Sequence, residues 1–258
     1  MKSLSLKLSV AAVALAGIAA SSNAAFAGDI GDMFSATVTV VSDYRFRGVT
    51  QNDRDVTPQA GVTWTDDGFY LGTWSAKTNW DAGAKNSPSY EVDFFGGKHF
   101  DLGGTDLNVE AYYYSYPDYN KDAFGTKNAS FYETLVQVTH AFGPLTLTAT
   151  AANSPQWSLG GGTGWYGSGA ASYAVTDWFS LVGTVGYQWV NGPARSKSLD
   201  YVHWDMGGVA TWKNFTLDMR YVDTNISKAD CGSFWMATPH ACSAGFVANL
   251  TYNITKLF

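Results

Sequence analysis

The stretch FYETLVQVTHAFGPLTLTATA, residues 131–151, decides the fold class. Tyr132, Val136 and Val138 alternate with Glu133, Gln137 and Thr139. A tight Phe142-Gly143-Pro144 turn follows, and then Leu145, Leu147, Ala149 and Ala151 alternate with Thr146, Thr148 and Thr150. Successive side chains of a strand point to opposite faces, so a period of two gives each run one apolar and one wet face. A helix would space its apolar residues three and four apart. Two such runs around a Gly-Pro turn read as a hairpin.

The same rhythm extends in both directions. Toward the N-terminus, Phe34, Ala36, Val38, Val40, Tyr44 and Phe46 oppose Ser35, Thr37, Thr39, Asp43, Arg45 and Arg47, which predicts one long first strand. Val56, Ala60, Val62 and Trp64 oppose Thr57, Gln59 and Thr63. The run Phe69 to Lys77 is ambiguous in phase, because Phe69 and Leu71 compete with Tyr70 and Trp74; Lys77 is assigned to the wet face. Tyr90, Val92 and Phe94 oppose Glu91 and Asp93, and Leu107, Val109, Ala111 and Tyr113 oppose Asn108, Glu110 and Tyr112. Trp165 to Ala174 is a weaker, Gly/Ala-rich run. Toward the C-terminus, Phe179, Leu181, Val185, Tyr187 and Trp189 oppose Ser180, Thr184 and Gln188. Val202, Trp204, Met206, Ala210 and Trp212 oppose His203, Asp205 and Thr211. Phe215, Leu217, Met219 and Tyr221 oppose Thr216, Asp218 and Arg220, and Phe246, Ala248, Leu250, Tyr252 and Ile254 close the series.

About twelve strands result, and their connections alternate in length. Short turns (Thr65 to Gly68, His99 to Thr105, Ala141 to Pro144, Val175 to Trp178, Lys213 to Asn214) separate longer loops (Asn79 to Ser89, Pro117 to Ser130, Asn153 to Gly164, Asn191 to Leu199, Asn225 to Ala241). The first connection, Thr50 to Asp55, reads as short. An even strand count with both ends on the short-turn side is the plan of an all-β, transmembrane, antiparallel up-and-down barrel. In hydrocarbon every backbone N–H and C=O must be paired internally, so a sheet spans only if it closes. Tyr44, Phe46, Tyr70, Tyr113, Tyr132, Tyr187, Trp189, Trp204, Trp212, Tyr221 and Tyr252 lie near strand ends and suit two interfacial girdles. The soluble alternative is a secreted sandwich or lipocalin-like barrel with these aromatics in its core.

Composition agrees with the membrane reading. The chain has 16% aromatic and 15% charged residues, 27 Gly and 7 Pro, against roughly 25% charged residues in an ordinary soluble domain. A net charge of −6 without a Lys/Arg cluster excludes nucleic acid as partner. Lys2 and Lys7, the apolar stretch Val10 to Ala20 and the triplet Ala25-Phe26-Ala27 read as a signal peptide, residues 1–27, cleaved after Ala27. Residues 28–258 then form a single barrel domain. Cys231 and Cys242, in an exported chain, are expected to pair, at about 3 kcal/mol by loop-closure arithmetic. A zinc site using His240 is the weaker alternative, for want of ligand spacing.

The stretch Ser42-Asp43-Tyr44-Arg45-Phe46-Arg47-Gly48-Val49-Thr50-Gln51 resembles the opening signature of the TorF family of porins. Looser matches follow in order: Gly68-Phe69-Tyr70-Leu71-Gly72-Thr73-Trp74, Glu91-Val92-Asp93-Phe94-Phe95-Gly96, Tyr114-Ser115-Tyr116-Pro117 and Phe131-Tyr132-Glu133. The resemblance covers nearly the whole mature chain. It implies a Gram-negative outer-membrane barrel, a channel for passive diffusion of small hydrophilic solutes, with no substrate named by the family. Phe258 resembles the terminal signal read by the barrel-assembly machinery, while Lys256 departs from it, since an apolar or aromatic residue is usual there.

The expected lumen lining carries the candidate chemistry. Glu91, Asp93, Glu110 and Glu133 fall on the fourth to sixth strands; Arg45, Arg47 and Arg220 sit about half a barrel away, diluted by Asp43 and Asp218. Two readings follow: opposed arcs that set up a transverse field, or acids and arginines that pair and fill the interior. Lys77, His203 and Asp205 complete the candidate lining. Twelve strands close at a backbone radius of about 12 Å, leaving a pore only if loops stay out. A structural or adhesive barrel with a blocked lumen is the second reading, with Trp157, Trp165 and Trp235 as candidate loop contacts. A lipase-like barrel enzyme is the third; it needs a Ser–His pair on the lipid-facing wall, and the strand histidines His140 and His203 have no serine beside them in sequence. No cofactor is expected. Glu91 and Asp93, two residues apart on one face, read as a wet strand face rather than a metal site.

Overall fold

A computed structural model describes residues 33–80, 87–119, 128–191, 200–234 and 240–255, with side chains at 232–234 left aside. The expected signal peptide, Trp235, Lys256 and Phe258 lie outside the described residues. The strands are β1 (Phe34–Val41), β2 (Arg45–Phe46), β3 (Val49–Thr50), β4 (Thr57–Asp66), β5 (Phe69–Lys77), β6 (Tyr90–Asp101), β7 (Thr105–Ser115), β8 (Phe131–Phe142), β9 (Leu145–Trp157), β10 (Gly162–Ala174), β11 (Phe179–Asn191), β12 (Tyr201–Trp212), β13 (Phe215–Thr224) and β14 (Gly245–Ile254). One short helix, α1 (Lys228–Phe234), sits in the last long connection.

Every barrel strand pairs antiparallel with its chain neighbours, and β1 closes the ring by pairing with both β4 and β14, from Ala36 opposite Ile254 to Val41 opposite Asn249. The barrel therefore has twelve strands and no free edge. The short β2–β3 pair stands apart from it. Its wall strands are mostly 10 to 13 residues long, about the length that crosses a bilayer at a tilt.

Alternation fixes which side is wet. Phe94, Tyr113, Tyr132, Val136, Val138, Leu181, Val185, Met206 and Leu250 are exposed on the outer wall, while Glu91, Asp93, Glu110, Glu133, Gln188 and Arg220 are buried on the inner one. Large outward aromatics gather near the two ends: Phe69, Phe142, Trp178, Trp212 and Tyr252 by the short turns, and Tyr90, Tyr132, Trp165, Tyr187 and Phe246 by the long connections. An apolar outer band with aromatic rims and a polar interior is the reverse of a soluble barrel.

Several expectations need correction. The first strand ends at Val41, and Tyr44 and Phe46 belong to no girdle. Residues 42–52 turn into the barrel and residues 53–56 lead back to β4, so this first connection is among the longer ones. Tyr70 also faces inward, which settles the phase of β5: Tyr70, Trp74 and Ala76 point in, whereas Phe69, Leu71 and Lys77 point out. Lys77 is exposed at the outer rim and lines no lumen. The Asn153 to Gly164 loop shrinks to residues 158–161, because β9 and β10 stay paired up to Trp157 opposite Gly162. His99 lies on β6, not in a turn, and bonds Asp106 at 2.9 Å.

Candidate functional site

Residues 42–52 enter the lumen as a tight hairpin. Phe46 pairs with Val49 and Arg45 with Thr50, leaving a two-residue turn, Arg47-Gly48, with φ of 48° and 87°. Two consecutive positive φ values are what a primed hairpin turn requires, and glycine supplies the second at no steric cost. A Cβ on Gly48 would lie 2.6 Å from Thr224 Cγ2 and 2.9 Å from His203 Cβ, so glycine also lets the turn seat against β12 and β13. Internal bonds set the hairpin's base: Thr50 Oγ1 donates to Asp43 Oδ1 at 2.6 Å, and Gln51 N to the Tyr44 carbonyl at 2.7 Å.

Each hairpin side chain then seeks a different part of the wall. Tyr44 packs edge-on against Trp74 and donates to Glu91 Oε2 at 3.1 Å. Phe46 packs on Tyr114 and Trp157. Arg47 reaches across to β8 and grips Glu133 with both terminal nitrogens, at 3.1 and 2.8 Å; it also donates to Gln188 Oε1 on β11 and lies 3.8 Å from the centre of the Tyr166 ring. Arg45 turns back to Asp43 at 2.7 Å and to the carbonyls of Gly48 and Ser243. Tyr44, Arg45, Val49 and Asn52 are all at most 4% exposed. The hairpin thus fills the lumen at the level of Glu91, Glu133 and Gln188. Beneath it remains a cavity of about 130 Å³, bordered by Gln59, Gln137, Thr150, Asp205, Arg220 and Asn249.

The candidate charges sort into paired and unpaired sets. Asp43 holds Arg45, Glu133 holds Arg47, and Asp218 with Asp205 holds Arg220, the last through contacts of 2.8 and 2.7 Å. Opposed charged arcs therefore do not face each other across open water; the pairing alternative describes these seven groups. Glu91, Asp93 and Glu110 differ. Among the described residues none has an arginine or lysine partner. Tyr44 and Tyr116 donate to Glu91, and Tyr112 to Asp93 at 3.1 Å. Asp93 Oδ1 and Glu110 Oε1 are buried without a hydrogen-bond partner. No group of three or more His, Cys, Asp or Glu able to hold a metal occurs among the described residues.

The sequence reading missed the aromatic half of this arrangement. Tyr114, Tyr116, Phe131, Trp157 and Tyr166 form one buried cluster inside the barrel with Tyr112. Their inward parity with Glu110 and Tyr112 was a usable signal for Tyr114 and Tyr116; nothing local signals that Trp157 turns in. His203 is buried inside the barrel, and its ring Nε2 meets the Tyr166 hydroxyl at 3.0 Å. His140 faces outward and bonds Thr105 Oγ1 at 2.8 Å. Among the described residues neither histidine is bonded to a serine. Cys231 and Cys242 form a disulfide, with Cα atoms 5.9 Å apart.

The family model described as "Bacterial protein of unknown function (Gcw_chp)" matches residues 25–253. The chain belongs to this family. No curated protein matches it in sequence. Among solved structures it is similar to the KdgM porin, at 7% identity and a TM-score of 0.53 over 84% of this chain and 98% of that one. It is similar to the NanC porin at 8% identity and a TM-score of 0.53, covering 87% and 100%. The COG4313 outer-membrane channel from Pseudomonas putida F1 gives 12% identity and a TM-score of 0.50, covering 88% and 96%. At such identities the likeness is one of fold: this Gcw_chp chain has the barrel of outer-membrane porins.

Proposed function

We propose that this chain is an outer-membrane channel for small hydrophilic solutes, held closed in the described conformation by the 42–52 hairpin and cation-preferring when open. One observation carries the reading: a closed barrel, apolar outside, lines its interior with ionisable groups whose acids outnumber its arginines. A polar interior of that kind in a lipid-embedded barrel suits a path for water and solute once the plug is withdrawn. Asp43, Arg45, Arg47, Glu133, Asp205, Asp218, Arg220 and His203 hold or flank the plug, and Glu91, Asp93 and Glu110 supply the excess negative charge. The TorF resemblance, export by residues 1–27 and recognition of Phe258 by the barrel-assembly machinery belong to the same proposal.

The KdgM porin has been solved in complex with oligogalacturonate. An acid-rich lumen is a poor path for such a polyanion, so uncharged or cationic solutes fit this chain better. The plug itself favours a second reading, a structural barrel with a permanently blocked lumen. Liposome swelling with sugars of graded size, run on the parent protein and on a form in which residues 43–50 are replaced by a Gly-Gly link, decides. Swelling only in the second form supports a gated channel; swelling in neither leaves the structural reading standing. Among the described residues no bonded Ser–His pair supports the lipase-like reading, and we propose that the chain is not an enzyme.

A further inference from the structure

The hairpin is held from two sides, and the second hold lies outside the wall. Residues 240–244, between α1 and β14, present a row of backbone carbonyls to it. Thr50 N donates to Ala241 O at 3.0 Å, and Arg45 Nη1 to Ser243 O at 2.9 Å. Arg54 Nη2 lies within 2.6 Å of His240 O, 2.8 Å of Ser243 O and 3.4 Å of Ala244 O. Val49 packs with Ala241 and the cystine Cys231–Cys242 in a small apolar cluster completed by Tyr201.

This segment pairs with no strand. Its position is fixed by the disulfide to α1 and by Thr224 Oγ1, which donates to Cys242 O at 2.8 Å. The hairpin, in turn, joins β1 and β4 at Val41 and Thr57, both on the long-connection rim. It can leave the lumen only through that rim, and residues 240–244 bind it there.

We propose that the cystine-anchored segment 240–244 is the clasp of a gate: it holds the hairpin in the lumen, and freeing it lets the hairpin swing out. The proposal rests on the channel reading above. It assigns the disulfide a role beyond fold stability, since neither cysteine takes part in the pairing of the wall strands.

The test uses the full mature chain in planar lipid bilayers, comparing the parent with Cys231→Ser/Cys242→Ser, with Arg54→Ala and with the Gly-Gly replacement of residues 43–50. Hydrogen exchange of the 43–50 amides is followed on the forms that retain the hairpin. Arg54 is exposed, and its loss removes contacts to the clasp without touching the cystine. The expected result is an open fraction raised on the order of tenfold by Arg54→Ala, and by more in the cysteine variant, with faster exchange in the hairpin. Arg54→Ala keeps the test decisive where the cysteine variant does not assemble. Parent-like conductance and exchange in the clasp variants, beside a conducting hairpin-less form, overturns the clasp and leaves the channel standing. Absence of conductance in the hairpin-less form overturns both.

Discussion

Substituting Glu133→Gln isolates the contact that pulls the hairpin across the lumen. Arg47 makes two contacts to this carboxylate, at 3.1 and 2.8 Å, and the two side chains are 7% and 0% exposed. Removing one partner of a buried ion pair strands the other charge, at about 3–5 kcal/mol. The lower end applies here, because Gln188 and the Tyr166 ring still contact the guanidinium. In the withdrawn hairpin Arg47 is hydrated, so the penalty falls on the docked state alone. About 3 kcal/mol shifts the docked-to-withdrawn ratio by roughly a hundredfold. Single-channel recording reads this as a rise in open fraction, and hydrogen exchange as a loss of protection at residues 45–50. The double variant Arg47→Met/Glu133→Leu removes both charges together, and an apolar replacement of a buried pair is often near neutral. It should open the channel far less than Glu133→Gln does. The reasoning fails if Glu133→Gln conducts and exchanges like the parent, or if the double variant is equally open.

Further outcomes follow from the same geometry. Glu91→Gln/Asp93→Asn/Glu110→Gln, made in the hairpin-less form, should cut cation selectivity; an unchanged reversal potential in a salt gradient would show that these acids do not face the permeating ions. Gly48→Ala places a side chain at φ +87° and within 2.6 Å of Thr224, costing about 1–2 kcal/mol from the left-handed backbone alone; faster exchange of the hairpin, with an unaltered barrel on heat-modifiable gels, is the expected readout. Gly207→Leu puts a Cβ 1.9 Å from the Met219 carbonyl oxygen, a backbone atom that cannot step aside, and should abolish the heat-modifiable band. Val136→Arg, exposed midway along β8, should destabilise the barrel in lipid by about 2–4 kcal/mol in urea titrations.

The fold was legible because a membrane barrel writes its two faces directly into a period of two. Each strand from β6 to β8 and from β11 to β14 has the parity that its residues predict. β5 was the weak point for a physical reason: its inward Tyr70 and Trp74 pack against other inner side chains, so both faces of the strand carry large apolar groups. Lys77 was misplaced by the same ambiguity. The site was legible only in its residue types. Arg45, Arg47, Glu91, Asp93 and Glu133 are buried inside the barrel, but a pattern that reports the face of a strand does not report which residue on another strand lies across the lumen.

The hairpin shows why that limit matters. Apolar and polar residues alternate from Phe34 to Val40 and again from Asp43 to Arg47; the rhythm breaks only at Val41-Ser42, and there the strand stops. Alternation marks a strand with two different surroundings, and a ribbon inside a lumen meets two as well: Tyr44 and Phe46 face the tyrosine-rich wall, while Arg45 and Arg47 find carboxylates. What separates the two cases is the break at Val41-Ser42 together with Gly48, whose left-handed conformation permits a turn that no wall strand of this length would contain. The strand number then makes the insertion effective. Twelve strands enclose a backbone radius of about 12 Å, and inward side chains reduce it by about 5 Å. A two-stranded ribbon about 4.8 Å between backbones, with side chains on both faces, is wide enough to fill what is left. In a wider barrel Arg47 would end in water; in this one it lands on Glu133, and a single hairpin suffices to close the path.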